Sequence, residues 1–291
     1  MNRKALWLYL VVSVAWGVPY ALIRLALTGF DPASIVLARV AIGALVLIPL
    51  AAKRGALASA LKHWPYVLAF AVIEMAGPWI LLTTAEQHVS SSLASLLIST
   101  VPFFGVPLAY LTGDKSVLQP KAIAGLALGF CGVLALVGID ALSNSVSPVW
   151  IGVMLLAALG YAIAPVIVDH KLGEASSTAV AGVSMAMVAV IYAIPGGIGF
   201  AGVGAHPAPI SAWLALVGLG LISTALSFTS FFELIALVGS ARATTIVYPN
   251  LAVAFLVGIV FLKEPITTGF LIGVPMVIAG SWLATRRKAV S

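Results

Sequence analysis

SARATTIVYPNLAVAFLVGIVFLKEP, residues 240–265, opens on small residues, passes through Thr244, Thr245, Tyr248, Pro249 and Asn250, and then runs almost purely apolar to Lys263-Glu264-Pro265. From Ala243 to Leu262 the run holds about 20 residues, which at a rise of about 1.5 Å each crosses the hydrocarbon core of a bilayer. A weaker copy, SSLASLLISTVPFFGVPLAYLTGDK, lies at 91–115. Both begin small, carry a proline in mid-span and end in a charged pair. The echo points to two related halves.

Composition places those halves in a membrane. The 291 residues are 62% hydrophobic and 8% charged, with mean hydropathy +1.16, whereas soluble domains carry about 25% charged residues. Hydropathy divides the chain into ten expected spans: 5–28, 33–52, 65–84, 92–112, 120–138, 148–168, 177–196, 210–237, 241–262 and 267–285. The apolar run after Met1-Asn-Arg-Lys reads as a retained first helix. With the N-terminus in the cytoplasm, one side collects Arg3, Lys4, Lys53, Arg54, Lys62, Lys115, Lys121, Lys171, Arg242, Arg286, Arg287 and Lys288. The other keeps Lys263, with Arg24 and Arg39 near span ends. Cytoplasmic loops carry the excess of Lys and Arg, so both termini are expected inside. The net charge of +6 then reflects topology and calls for no nucleic-acid partner. Loops are short, the longest expected around Gly196 to Pro209, and none could fold into a soluble catalytic domain. The single cysteine, Cys131, excludes an internal disulfide and reads as a small buried residue.

Five spans per half is an odd number, so a duplicated half must sit inverted. Trp16-Gly17 and Leu159-Gly160 are 143 positions apart, Pro49 and Pro195 146, and Trp64 and Trp213 149. Pro102 and Pro249 are 147 apart, and Gly125 with Gly132 maps onto Gly273 with Gly280 at 148. Inverted repeats typify secondary transporters, whose substrate site lies near the midplane where the halves meet.

These residues, in this order, carry a resemblance to the drug/metabolite transporter superfamily, in its ten-helix EamA-type members. Trp16-Gly17, Asp31-Pro32 leading to Arg39, and Ser91-Ser92-Leu93-Ala94-Ser95 with Pro102 match in the first half. Ala241 to Ala243 with Pro249, Leu262-Lys263-Glu264-Pro265 and Gly273 to Gly280 match in the second. The resemblance covers essentially the whole chain and departs at Asp114-Lys115, where a leucine-glycine-glutamate run is usual in a helix-capping turn. It implies export of small organic metabolites from the cytoplasm, often amino acids, with the bacterial aromatic amino acid exporters of the YddG type as a nearer relative. The expected fold is an all-α integral membrane protein of two inverted five-helix repeats, residues 1–140 and 146–291.

Glu74 is the sharpest candidate residue, in mid-span within AVIEMAGPW. A charge at mid-bilayer costs about 2.5–3.5 kcal/mol on insertion scales, so it must face protein or water. Pro78, lacking an N–H, leaves the Glu74 carbonyl without its helical partner. One turn thus offers a carboxylate and a carbonyl to a substrate ammonium or a coupled proton. The bland alternative is a protonated carboxyl satisfied by a neighbouring helix. In the first span Ser13, Trp16, Tyr20 and Arg24 share one face by their three- and four-residue spacing. Pro19 kinks that span, and Arg24 reads as a snorkelling end residue. The eighth span offers Ser223, Ser227 and Phe231, with Thr224, Phe228 and Glu233 beside them. Ser223 corresponds to Glu74 and Phe228 to Trp79, both at 149 positions. In the fourth and ninth spans Ser95, Ser99, Pro102 and Phe103 mirror Thr245, Tyr248 and Pro249, and the sixth repeats the theme with Tyr161 and Pro165. The prolines at 19, 78, 102, 165 and 249 are either hinges or fixed curvature. Trp16, Tyr20, Trp79, Phe228 and Tyr248 are the expected apolar walls, with Glu74 reading an amine.

Gly125-x-x-x-Gly129 and Gly269-x-x-x-Gly273 fit close helix packing, as scaffold or as a dimer surface. His88, beside Glu86, reads as a solvated histidine at a helix end. The histidines lack metal-ligand spacing, and no phosphate loop, triad or paired-carboxylate motif occurs, so no cofactor or metal is expected. The expected partners are a small-molecule solute and the lipid bilayer, for a monomer or homodimer in the cell membrane. Drug export by the same fold is the first alternative. A lipid-modifying membrane enzyme would need acids or histidines clustered at one membrane face, and a non-transporting scaffold leaves Glu74 and the matched prolines without a purpose.

Overall fold

The computed structural model of the chain describes residues 3–113, 120–142, 147–203, 207–238, 243, 246–266 and 268–285, without the side chains of 122, 136–142, 247, 248, 270, 281, 284 and 285. Asp114, Lys115, Arg242, Thr244, Thr245, the Tyr248 side chain and the basic residues 286–288 therefore lie outside the described residues. Among those described there are helices and no strand. That is what a solvent without hydrogen-bonding capacity demands, since each backbone polar group must then be satisfied within its own segment.

Seven helices among the described residues are long and apolar enough to cross a membrane: α1 (Arg3–Ala26), α2 (Pro32–Lys53), α3 (Trp64–Ala85), α4 (Ser91–Leu111), α6 (Pro148–Leu172), α7 (Ser177–Gly202) and α8 (Ile210–Val238). Three further helices are α5 (Pro120–Leu142), α9 (Val247–Phe261) and α10 (Thr268–Thr285). A short helix, Leu57–Leu61, joins α2 to α3. Leu45, Val190, Ile194 and Phe261 stand 75–76% exposed, an apolar exterior that suits lipid.

Start signals are local. Asp31 caps α2 by accepting from the backbone N–H of Ala33 at 2.9 Å and of Ser34 at 3.1 Å, with Pro32 at the first helical position. Ser90 caps α4 through Leu93 N–H. The expected end of the seventh span at 196 is corrected: α7 continues through Pro195 and Gly196 to Gly202. The Ser34 hydroxyl reaches the Gly196 carbonyl at 2.9 Å, holding that stretch against α2. Cys131 is exposed, a second correction. The buried stripe of α5 runs through Gly125, Gly129, Gly132 and Val133, and Cys131 falls off it.

Pairing between helices is reciprocal. α1 packs on α8 and α9, as α6 packs on α3 and α4; α2 meets α8, as α7 meets α3. α2 with α7, α4 with α9, and α5 with α10 complete the set, the last being the most extensive contact in the protein. The glycines of α5 and α10 face each other within the chain, which answers the scaffold-or-dimer alternative for them. A Cβ on Gly280 would lie 2.6 Å from the Gly125 carbonyl oxygen and against the Gly129 backbone. Overpacking a tight contact costs about 1–3 kcal/mol. Gly280→Ala should therefore lower the thermal unfolding midpoint in detergent, whereas Gly152→Ala, whose Cβ meets nothing within 4 Å, should not. Equal midpoints for the two variants would contradict this packing.

Candidate functional site

Proline does not act alone in bending these helices. α1 breaks at Val18 before Pro19, and α4 breaks at Ser99–Thr100 before Pro102. α3 widens into a π turn at Ala71–Ala76 before Pro78, and α6 into another at Val168–Leu172 after Pro165. α8 carries a π turn at Leu221–Leu226 with no proline in it. The turns in α3 and α8 occupy the positions matched at 149–150 residues, so Glu74 and Thr224 both project from widened helix. Pro249 lies in the first turn of α9, which is unbroken from Val247 to Phe261. Widening strands backbone carbonyls, and side chains take them up. Tyr192 of α7 donates to the Ala76 carbonyl at 2.9 Å, and the Thr224 hydroxyl donates to the Leu219 carbonyl at 2.8 Å.

The interior charge that gathers the most neighbours is Arg39. It was expected near a span end, yet it is 7% exposed within α2. Its Nε–H donates to the Thr224 oxygen at 2.9 Å, and its guanidinium carbon stands 3.7 Å from the centroid of the Trp79 ring. A Cβ at Gly43, one turn on, would lie 2.8 Å from the Thr224 methyl, so glycine there lets α8 close on α2. Tyr161, Tyr20 and Glu86 lie within electrostatic reach of Arg39. Helices α1, α2, α3, α6 and α8 thereby converge on one guanidinium.

Several of the aromatic candidates pack near it. Trp79 is buried, with Tyr161 and Phe228 packed on its cluster. Trp16 meets Phe228 edge-on at 5.8 Å between ring centroids and Phe231 at 4.7 Å. Glu74 is half-buried, has no hydrogen-bond or ion-pair partner among the described residues, and lies within electrostatic reach of Tyr161. The remaining candidates scatter. The Ser227 hydroxyl turns onto its own helix, donating to Ser223 O at 2.8 Å or Thr224 O at 3.0 Å, while Ser99 donates to Leu96 O. Ser223 is fully buried with its hydroxyl unpartnered. Phe103 sits over Gly129 of α5.

Three further residues lie at span ends. Arg24, exposed near the end of its span, donates from Nη1 to the Glu86 carbonyl and clamps the end of α3. Glu86 is fully buried with both carboxylate oxygens unpartnered. His88 is exposed as expected, and stacks on Trp150 at 3.9 Å and 7°. At the same end of the bundle Lys263, in the left-handed region at φ 57°, closes α9. Glu264 N–H reaches back to the Gly258 carbonyl, closing the helix through a left-handed residue where glycine is usual. That turn aims the Glu264 carboxylate at the N-terminus of α4, where it accepts from Ser91 N–H at 2.7 Å, Ser92 N–H at 3.0 Å and the Ser92 hydroxyl at 2.6 Å. Removing a cap costs about 0.5–2 kcal/mol. Glu264→Ala should lower thermal stability by that much, and Glu264→Gln, which keeps one acceptor, by less. An unchanged midpoint in Glu264→Ala would show the cap to be dispensable.

Comparison with known proteins bears on what this assembly does. The profile of the EamA-like transporter family matches residues 3–138 and again 148–286. A probable terminal-alkyne amino-acid exporter of Streptantibioticus cattleyicolor is 28% identical over 288 residues, 98% of this chain and 94% of that one. The uncharacterized inner membrane transporter YedA of Escherichia coli K12 is 24% identical over 246 residues, 84% of this chain and 78% of that one. A solved crystal structure superposes with a TM-score of 0.67 over 98% of both chains at 20% identity, a likeness of fold.

Proposed function

The chain belongs to the EamA-like transporter family and is a multi-pass membrane transporter, and from that premise we propose that it exports amino acids with aromatic or hydrophobic side chains from the cytoplasm by alternating access. In this reading residues 1–140 and 146–291 are two inverted five-helix halves making ten spans, with both termini cytoplasmic. Their interface around Trp16, Tyr20, Trp79, Tyr161 and Phe228 receives the solute. The reciprocal pairing of helices and the twofold family match support the halves, and the amino-acid exporter among the relatives supports the substrate class.

One observation carries the proposal: Glu74, on a π turn beside an aromatic cluster, has a half-buried carboxylate that no described residue partners. A carboxylate at this depth needs a cation, and an amino acid brings one. Its apolar side chain would lie against the Trp16–Phe228 pair, where aromatic faces also accept a cation. The widened turns in α3 and α8 and the breaks in α1, α4 and α6 give each half a place to bend.

Counterflow of labelled L-phenylalanine in proteoliposomes tests the reading. Wild type should exchange the amino acid, and Glu74→Gln should slow exchange about tenfold or more, the worth of one charged hydrogen bond. Unchanged exchange by Glu74→Gln across pH and across substrates would end the Glu74 assignment.

A further inference from the structure

We propose that Arg39 is the carboxylate-reading residue of the solute site, so that the transporter selects solutes bearing a free carboxylate beside the amine. This rests on the reading that the cluster around Trp79 receives the solute, and it names a specificity determinant within that cluster.

The argument starts from what Arg39 lacks. A buried guanidinium normally stands against a carboxylate, because an uncompensated charge at low dielectric is costly. Among the described residues no carboxylate comes within ion-pair distance of Arg39. Its one hydrogen bond is to a neutral hydroxyl, Thr224, and uses the Nε–H alone. The four N–H groups on its two Nη atoms have no partner among the described residues. They are not sealed in either: the sealed, unpartnered side-chain atoms are the Glu86 carboxylate oxygens and the hydroxyls of Ser91 and Ser223. Arg39 therefore presents a pair of free donors in fork geometry.

The surroundings hold that fork still. Stacking on Trp79 fixes the guanidinium plane, and the Thr224 contact fixes rotation within it. A planar fork held in this way suits bidentate binding of a carboxylate, with two parallel N–H···O bonds. Lysine, a point charge on a flexible stem, could neutralise an anion but not hold it in that orientation. The acid within electrostatic reach, Glu86, keeps both its oxygens unpartnered, so no contact with it occupies the Arg39 fork. Glu74 and Arg39 both lie within electrostatic reach of Tyr161, which places an acid and a base on the same interior cluster.

The test is equilibrium binding to the purified full-length protein of L-phenylalanine, its methyl ester and phenethylamine, which share the ring and the amine and differ in the carboxylate. Wild type should prefer the acid over the ester and the amine by about 10- to 100-fold, the range expected of a charged hydrogen-bonded contact. Arg39→Gln should abolish that preference while still binding the amine, and Arg39→Lys should keep part of it. Thr224→Val, which frees the fork without removing its charge, should reduce the preference less than Arg39→Gln does. If Arg39→Gln fails to fold, the graded loss in Arg39→Lys and Thr224→Val carries the test, and a full acid preference in both would overturn the proposal. A preference regained in the Arg39→Gln/Glu86→Gln double variant would show Arg39 to be a counter-ion for Glu86, and would likewise overturn it. Equal binding of acid, ester and amine by wild type refutes the Arg39 assignment and leaves the amine-reading site standing. Binding of none of the three by wild type refutes the amino-acid reading and the Arg39 assignment together.

Discussion

Lipid gives a polypeptide nothing to hydrogen-bond with, and the interior of this protein is arranged around that constraint. A helix that stayed regular from end to end would satisfy every backbone group and leave nothing for a solute to meet. Here α1, α3, α4, α6 and α8 each give up regularity at one place, and protein groups answer the carbonyls at two of them, through Tyr192 to Ala76 and Thr224 to Leu219. Irregular backbone at membrane depth is tolerated where it is buried in protein or lines a cavity. The breaks lie in helices α1, α3, α4, α6 and α8, whereas α5 and α10 run unbroken and pack on each other.

A second constraint acts on charge. Arg39 is kept by a π face and a hydroxyl in place of an acid. Both contacts are weaker than an ion pair, and both leave the cation unneutralised. Thr224 serves two masters, donating to the π turn of its own helix and accepting from α2, so the shape of α8 and the position of the guanidinium are one problem. Stiffening the turn in α8 would move the acceptor that orients Arg39.

Much of this was legible in residue order. Span positions follow from apolar runs, the family from the spacing of Trp16-Gly17, Asp31-Pro32 and Leu262 to Pro265, and the aromatic cluster from helical phase. Three things were not. Arg39 stood in plain view, a cation eight residues into a 22-residue apolar helix, but burial depends on which face α8 and α3 cover, and residue order does not record neighbours. The π turn in α8 has no proline to announce it; only its register with Pro78 in the other half hinted at a counterpart. Glu86 looked like a helix-end acid among polar residues, and the clamp from Arg24, 62 positions earlier in the chain, is a long-range contact with no local signature. Nor does helical phase show that the Ser99 and Ser227 hydroxyls donate to carbonyls of their own helices, since a hydroxyl in a helix has those carbonyls within reach.

The carboxylate of Glu264 accepts three hydrogen bonds from one helix terminus, and its aim is set by a turn that holds a lysine in backbone space usually left to glycine. Rotating that carboxylate away would strand two backbone amides and a hydroxyl at once, so a single side chain at the end of α9 decides whether the first turn of α4 is satisfied.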